Sequence, residues 1–247
     1  MTATVDLVHG GRWTSLHAAG REWLWSRPDP ARQRVRPGDP FVDAGGLEEC
    51  IPTVRGEPDH GEAWSRPWIR LDDERASVAG ADFRLTRTLR PGDDVLVADY
   101  RLDAAPGWPF IWAAHALLDL SDAARLLAPP GTTTRLDTGA EGAWPAGLDI
   151  LGPADGTAVG AILLDCPRIG IVDGATLTFT LEAPGQPVSV ALWRNLGGWP
   201  QPGSYRSIGV EPMLGRVFDR AHTRPADAAI VPAAGFCEWR LTVEARS

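Results

Sequence analysis

One glutamate and two histidines, far apart in the chain, are the residues best suited to acid–base chemistry. Glu211 closes an apolar run that reads Ser-Ile-Gly-Val-Glu-Pro-Met, and the following proline favours extended backbone and cannot donate to a neighbouring strand. We therefore expect Glu211 at a strand end, with its carboxylate directed off a sheet rim or into a cleft. Taken alone, a glutamate in such a position is most often a solvated loop residue.

His60 and His115 are the histidines that could work with this carboxylate. His60 lies in Pro-Asp-His-Gly-Glu-Ala-Trp, where Gly61 permits an unusual backbone conformation and a close approach by a ligand. His115 lies in the apolar segment 110–120, which is typical of a strand covered on both faces or of a short helix. The flanking glycine, proline and serine favour a strand. His115 could also be a core histidine bonded to a backbone carbonyl.

The order of these motifs resembles the aldose 1-epimerase (galactose mutarotase-like) family. The shared features are a His-Gly followed by tryptophan at His60, a histidine inside an apolar strand at His115, and a late Gly-Val-Glu-Pro at Glu211. Residues 45–53, Gly-Gly-Leu-Glu-Glu-Cys-Ile-Pro-Thr, also resemble the family's lead into the His-Gly. The resemblance spans most of the chain and implies an all-β fold, a large antiparallel β-sandwich of the galactose mutarotase-like (supersandwich) type.

The resemblance implies that the protein interconverts the α and β anomers of a hexose by opening its ring. Glu211 would be the base that takes the proton from the anomeric hydroxyl, and His115 the acid that protonates the ring oxygen. Glutamate is ionised at neutral pH, and a nearby carboxylate favours protonated histidine. His60 would assist the acid or donate to a sugar oxygen. This chemistry needs no metal, nucleotide or other cofactor.

Four further residues are candidates for substrate contact. The planar groups of Arg66 and Arg87 can grip hydroxyls bidentately, and Glu49 is an acidic candidate. Trp199 precedes the Glu211 segment, where its indole could form a wall of the sugar site. Arg87 falls on the apolar side of its predicted strand, so it either pairs with a carboxylate or reaches a cavity. Arg66 could equally be an ion-pair partner, and Trp199 could equally be a packing residue.

The sequence departs from the family pattern around both histidines. Four residues after His60, where arginine is common, stands Trp64, and His115 is flanked by alanines in place of an asparagine-rich motif. A third, sugar-binding acid is expected between the second histidine and the glutamate, with Asp149 and Asp165 as candidates. These departures leave the acid and base in place and bear on the identity of the substrate.

The amino-acid composition indicates which kinds of molecule the protein can bind. The formal net charge is -8, every basic residue is arginine, and no basic cluster with interleaved aromatics occurs. Nucleic acid is therefore a poor partner, and a small hydroxyl-rich molecule is a better one. Cys50, Cys166 and Cys237 are widely spaced without a CxxC, which indicates buried thiols in a cytoplasmic protein. No leader or membrane-spanning run is evident. We expect a soluble monomer or homodimer.

Short apolar runs separated by glycine and proline predict a single domain over residues 1–247, built from antiparallel strands. No amphipathic helix of normal length and no internal linker is evident. Residues 26–40, rich in arginine, proline and aspartate, form an exposed loop that either borders a site or is a surface excursion. The predicted strands are 4–9, 13–18, 21–25, 83–89, 96–102, 110–120, 158–165, 168–172, 175–182, 188–193, 205–211 and 237–244.

Three functions remain open from the sequence. The first is an aldose 1-epimerase-like isomerase. The second is a non-catalytic carbohydrate-binding protein on the same fold, and the third is a different acid–base reaction on a sugar-like substrate. A phosphosugar enzyme ranks last, because the arginine cluster it needs is found only at Arg32, Arg34 and Arg36, in the predicted loop.

Overall fold

The computed structural model describes residues 1–224 and 226–247, and antiparallel strands make up most of its ordered elements. In those ranges the only helical segments are three single turns of 3-10 helix, Arg32–Arg34, Ala63–Ser65 and Arg220–His222. None of them has the length and hydrophobicity of a membrane span. The predicted all-β class is therefore confirmed.

Twenty strands follow one another along the chain. They are β1 Thr2–Asp6, β2 Arg12–Ala18, β3 Arg21–Glu22, β4 Leu47–Cys50, β5 Ile69–Arg70, β6 Arg75–Ala79, β7 Phe83–Pro91, β8 Val95–Ala104, β9 Pro109–Phe110, β10 Trp112–Leu118, β11 Arg125–Leu127, β12 Thr133–Leu136, β13 Glu141–Ala143, β14 Ala158–Leu163, β15 Arg168–Asp173, β16 Ala175–Glu182, β17 Val188–Leu196, β18 Arg206–Leu214, β19 Ala229–Ile230 and β20 Phe236–Arg246.

Two large sheets contain almost all of these strands. The first has ten strands in the order β1-β2-β4-β10-β18-β17-β14-β12-β13, with β3 paired to β2. The second has eight strands in the order β11-β15-β16-β20-β8-β7-β6-β5. Strands β9 and β19 form a separate short pair. Neighbouring strands are antiparallel throughout these pairings, as the sandwich prediction requires.

The strands with a clear alternating pattern lie where the sequence predicts them. In the β7–β8 hairpin, Phe83, Leu85 and Leu102 are buried while polar residues between them face outward. Strand β16 has the predicted bounds, and β10 is buried along its whole length, as expected for a strand covered on both faces. The first strand begins and ends earlier than predicted, because its residues pair with β2 at Asp6 and then turn through the two glycines.

The interior between the sheets is a single apolar cluster rich in aromatic rings. Tyr100 and Trp239 of the second sheet stack with ring centroids 5.3 Å apart, and Trp112 of the first sheet lies 5.2 Å from Trp239. Trp13 is also fully buried in this cluster. Most of the fully buried tryptophans therefore fill the core, which joins the two sheets into one packed unit.

A buried ion pair also joins the sheets. Arg87 Nη1 of the second sheet donates to Glu49 Oε1 of the first sheet at 2.7 Å. Tyr100 Oη donates to the same oxygen at 2.9 Å, and Trp112 Nε1 donates to Glu49 Oε2 at 2.7 Å. Arg87 Nη2 donates to the Gly11 carbonyl at 2.8 Å. The substrate-contact predictions for Glu49 and Arg87 therefore need correction: both side chains lie in the interior, with their polar groups engaged.

Breaking this ion pair should cost much of the stability of the fold. We predict that Arg87→Met lowers the free energy of unfolding by about 3–5 kcal/mol, because the Glu49 carboxylate then stays buried without its cation. Arg84→Met, at an exposed position on the same strand, should change it by less than about 0.5 kcal/mol. Urea denaturation at neutral pH measures both. Similar, small losses in the two variants would show that the pair contributes little.

Candidate functional site

The centre of the candidate site is the place where β10 and β18 run side by side in the ten-stranded sheet. The pairs Ala113–Met213 and Leu117–Gly209 bracket His115 and Glu211, so these two residues lie directly across from each other. Side chains opposite each other in an antiparallel pair project from the same face. His115 Nε2 is 3.7 Å from Glu211 Oε1. An acid and a base that are almost 100 residues apart in sequence are thus neighbours.

Glu211 lies inside strand β18 rather than at a strand end, which corrects the sequence prediction. The following Pro212 also lies within this central strand, paired with Val190 of β17. Pairing between β10 and β18 stops at Leu117–Gly209 and resumes at Ala113–Met213. A proline has no N–H to donate to a ladder. The two strands are therefore unpaired beside the acidic residue, at the position where the site lies.

His60 reaches the same place from the loop that follows β4. Its backbone is left-handed, with φ of 59°, and the next residue, Gly61, has φ of 74°. A Cβ on Gly61 would lie 2.1 Å from the Ile51 carbonyl oxygen, so only glycine fits this close approach. The imidazole of His60 lies edge-on to that of His115, with ring centroids 5.0 Å apart. The Phe41 ring stacks on the His60 imidazole, with ring centroids 3.6 Å apart.

A cavity of about 280 Å³ opens over these side chains. His60, His115, Glu211 and Trp199 all line it, so the structure brings four of the seven predicted site residues together. This volume is close to the lower end of the range found for small-molecule sites. The cavity lies on the outer face of the ten-stranded sheet. A second, smaller apolar cluster, which includes Ala113, Ala191 and Met213, packs beside it on this face.

The polar groups of the cavity leave hydrogen-bonding capacity unused. Glu211 Oε2 and His115 Nδ1 are buried and have no hydrogen-bond partner among the residues that the structure describes. His60 Nδ1 lies 3.1 Å from Asp59 Oδ2, in a contact whose angles do not make a hydrogen bond. Buried polar atoms in native proteins are usually satisfied. Both Glu211 and His115 line the cavity, so the unpaired atoms belong to residues that border it.

Burial favours the uncharged form of both Glu211 and His60, so it moves their pKa values in opposite directions. Burial raises the pKa of Glu211, while the nearby charges of His115 and Arg55 oppose that rise. Burial lowers the pKa of His60 to about 4, and the charge of His115 adds to this effect although the contact with Asp59 opposes it. His60 is therefore neutral at pH 7. A raised carboxylate pKa near an imidazole is an arrangement suited to proton transfer.

Gly209 makes room for the Glu211 carboxylate. The two residues lie two positions apart on β18 and face the same way. A Cβ on Gly209 would lie 2.5 Å from Glu211 Oε1 and 3.0 Å from Trp193 Cβ. A side chain at this position would push the carboxylate away from His115. The glycine in the Gly-Val-Glu-Pro motif thus has a steric explanation.

Two tryptophans form one wall of the cavity. The Trp193 and Trp199 rings meet edge to face with centroids 5.9 Å apart. The loop that carries Trp199 is held by the buried side chain of Asn195, whose Nδ2 donates to the carbonyls of Trp199 and Tyr205 at 2.8 Å. Asn195 Oδ1 in turn accepts from the backbone N–H of Gly198 at 3.0 Å. Trp199 remains half exposed, so its indole is free to contact a ligand.

The opposite wall comes from Pro40, the last residue of the predicted loop 26–40, and from the residues that follow it. Phe41 and Asp43 line the cavity. Tyr205 Oη donates to Asp43 Oδ2 at 2.5 Å, and the Tyr205 ring stacks on Trp25 at 5.5 Å. These contacts attach the loop to the end of β18. The end of the predicted loop, at Pro40, therefore borders the site.

Glu48 is a residue that sequence reasoning missed. It lies directly across β4–β10 from His115 and so shares its face of the sheet. Arg32 Nη2 donates to both Glu48 carboxylate oxygens at 3.0 Å and to the Trp64 carbonyl at 2.9 Å. Burial raises the pKa of Glu48 to about 7, against the charges of Arg32 and Arg12. Strand β4 has only four residues, Leu-Glu-Glu-Cys, so its sequence gives no alternation that distinguishes Glu48 from Glu49.

The remaining predicted contacts lie elsewhere. Arg66 Nη2 donates to Glu62 Oε2 at 2.6 Å, four residues earlier, and Arg66 does not line the cavity. Asp149 and Asp165, the expected third acids, are also absent from the lining. Asp165 instead accepts from Arg216 at 2.5 Å. The acids that do line the cavity beside Glu211 are Asp43 and Asp59, supplied by loops.

The chain is similar in fold to several solved structures. No family model matches the sequence, and no curated protein matches it. The solved structure of the Slr1438 protein from Synechocystis sp. is similar to 99% of this chain over 91% of its own length, with a TM-score of 0.76 and 16% identity. A candidate aldose 1-epimerase from Escherichia coli is similar to 99% of this chain over 95% of its own, with a TM-score of 0.75 and 16% identity.

A galactose mutarotase related enzyme from Lactobacillus acidophilus is also similar, over 99% of this chain and 94% of its own, with a TM-score of 0.64 and 12% identity. At such identities the likeness concerns the fold. The chain therefore has the galactose mutarotase-like β-sandwich fold that the sequence resemblance implies. Which residues act, and on what, rests on the geometry of the cavity.

The low pKa of His60 makes a testable contribution to stability. Its folded pKa, about 4, lies below the 6.5 of an exposed histidine, so the unfolded state binds more protons below pH 6.5. The contribution is present at pH 7 and is lost as the pH falls toward 4. We predict that wild type loses up to about 2 kcal/mol more than His60→Gln between pH 7 and pH 5. Urea denaturation at the two pH values measures the difference. Parallel losses would mean that His60 titrates normally.

Proposed function

We propose that the protein is an aldose 1-epimerase-like isomerase that interconverts the α and β anomers of a hexose. One observation carries the proposal. His115 and Glu211, whose Nε2 and Oε1 atoms are 3.7 Å apart, both line a cavity of about 280 Å³. An acid and a base at this separation can reach two adjacent oxygens of one ring, namely the ring oxygen and the anomeric hydroxyl.

In the proposed reaction, Glu211 accepts the proton of the anomeric hydroxyl while His115 donates a proton to the ring oxygen. The bond between C1 and the ring oxygen breaks, which leaves an aldehyde and a new hydroxyl. The aldehyde turns about the C1–C2 bond. Ring closure on its other face returns one proton to His115 and takes one from Glu211, so both residues end in their starting states. Burial supports this exchange because it brings the carboxylate pKa upward, closer to that of an imidazole.

A neutral His60 suits the acid role proposed for His115. Two imidazolium rings with centroids 5.0 Å apart would repel each other in a buried site. With its pKa lowered to about 4, His60 is neutral at pH 7 and places no positive charge beside the proposed acid. His60 can then exchange hydrogen bonds with a sugar hydroxyl. Its stacking on Phe41 fixes the plane of the ring for that contact.

The rest of the cavity suits a neutral sugar. The indoles of Trp193 and Trp199 offer apolar surfaces to the C–H face of a pyranose, and Asp43 and Asp59 offer acceptors for its hydroxyls. The lining carries three carboxylates against one guanidinium, that of Arg55. A phosphate group would be repelled by this balance. We therefore propose an unphosphorylated hexose as the substrate. The three buried free thiols are in keeping with a cytoplasmic location.

Substitution of the acid and the base tests the proposal. Glu211→Gln and His115→Asn should each lower kcat for mutarotation about 100-fold or more, with a much smaller change in affinity, because each removes one proton-transfer group. Gly209→Ala should have the same kind of effect by displacing the carboxylate. Freshly dissolved α-glucose and α-galactose, followed by polarimetry or proton NMR, provide the assay.

Glu141→Gln, an exposed glutamate on β13, is the matched control and should leave the rate unchanged. Wild-type rates equal to those of the blank across a panel of hexoses would contradict the reaction. Sugar binding in the absence of turnover would then favour a carbohydrate-binding protein. A loss of affinity with unchanged turnover in Glu211→Gln would contradict the role assigned to the carboxylate.

A further inference from the structure

Three of the most exposed large apolar side chains lie near one another on one side of the sandwich. Val8 is 67% exposed, Ile69 65% and Leu71 51%. The backbone N–H of Trp68 donates to the carbonyl of Leu7 at 2.7 Å, which brings the turn after β1 beside the start of β5. Val8 and Ile69 directly follow the two partners of that bond. Exposed apolar residues that cluster in this way mark an interaction surface, whereas residues scattered singly do not.

A hollow of about 250 Å³ lies beside these side chains, between the edges of the two sheets. Strand β1 ends the order of the ten-stranded sheet and β5 ends that of the eight-stranded sheet, so in the described part of the chain neither has a strand beyond it. A cavity of about 150 Å³ holds a benzene molecule, so the hollow has room for an aliphatic side chain. The apolar residues that line it come from both sheets: Ala3, Val5, Leu7, Ala76 and Leu89.

Two residues of opposite charge at the hollow have no ionic partner of their own. Arg70 and Asp73 both line the hollow and are exposed. Within residues 1–224 and 226–247, neither side chain forms an ion pair or a hydrogen bond, although Arg75 and Asp72 beside them pair with each other at 2.7 Å. A two-fold axis brings a surface against its own copy, so an arginine and an aspartate on one hairpin can pair twice across such an axis.

We propose that two copies of this chain associate through this side of the sandwich, related by a two-fold axis. Segment 69–71 of each copy lies in the hollow of the other, and Arg70 of each copy pairs with Asp73 of the other. The apolar projection, the hollow and both charges lie on the same side of one molecule, which is the self-complementarity that such a dimer requires. Among the described residues, the hollow shares no lining residue with the cavity at His115 and Glu211, so this surface is independent of the proposed function.

Sedimentation velocity of the full chain over a concentration series tests the association. Small interfaces give weak complexes, so the series extends to roughly 100 µM or more, and we expect a monomer at its low end and a dimer at its high end. Ile69→Ser should raise the dimer dissociation constant about tenfold or more, because it removes a central apolar contact. Leu127→Ser is the matched control, since Leu127 is 53% exposed on β11, the other edge strand of the same sheet. The control should leave the constant within about twofold of wild type.

An exchange of charges tests the two-fold pairing. Arg70→Asp and Asp73→Arg each place like charges opposite one another, so each variant alone should have a dissociation constant about tenfold or more above that of wild type. In an equimolar mixture the two variants restore both pairs of opposite charge. They should therefore form a heterodimer with a constant close to that of wild type. Recovery in the mixture also shows that both variants are folded.

Three results would overturn the proposal. The first is a wild-type protein that stays monomeric throughout the series. The second is a dimer that Ile69→Ser leaves intact, because association then uses another surface. The third is a mixture of the two charge variants that remains as dissociated as either variant alone.

Discussion

The antiparallel register between β10 and β18 is the constraint on which the site depends. It sets His115 across from Glu211 in the middle of a ten-stranded sheet, on the face away from the main core. A shift of one residue would turn either side chain into the interior. The apolar residues on either side of them, such as Leu117, and the packed opposite face of both strands hold this register. The local gap in pairing near Pro212 is tolerated because β18 is still paired with β17 along its length.

Much of this arrangement could be predicted from the sequence, because several strands carry strong patterns. The hairpin of β7 and β8 and the last strand, β20, alternate clearly, so their faces could be assigned. The short motifs at His60, His115 and Glu211, taken in their order along the chain, predict the correct fold. The three side chains also line one cavity. Arg87 was recognised as an anomaly on an apolar face, and one of its two explanations, a carboxylate partner, is the one that the structure contains.

Two features of the site could not be predicted from the sequence: the face of the sheet on which a residue of a short strand lies, and the path of an irregular loop. Strand β4 reads Leu-Glu-Glu-Cys, which is too short to reveal which of two adjacent acids faces the core. The predicted substrate contact is Glu49, whereas Glu48 lies opposite His115. Adjacent residues of a strand lie on opposite faces, so Glu49 forms an ion pair in the core while Glu48 lies on the face of the site. Phe41 and Asp43 come from an irregular segment whose path is set by tertiary contacts such as the one with Tyr205. No periodic signal records such contacts.

The proposed reaction requires one sugar ring to lie between His115 and Glu211. A crystal structure of the Glu211→Gln variant with bound glucose or galactose tests it most directly, since the variant should retain the sugar without turning it over. We expect the ring oxygen within hydrogen-bond distance of His115 Nε2 and the anomeric hydroxyl beside the side chain at position 211. A sugar bound elsewhere on the protein, with this cavity empty at saturating concentration, would contradict the account.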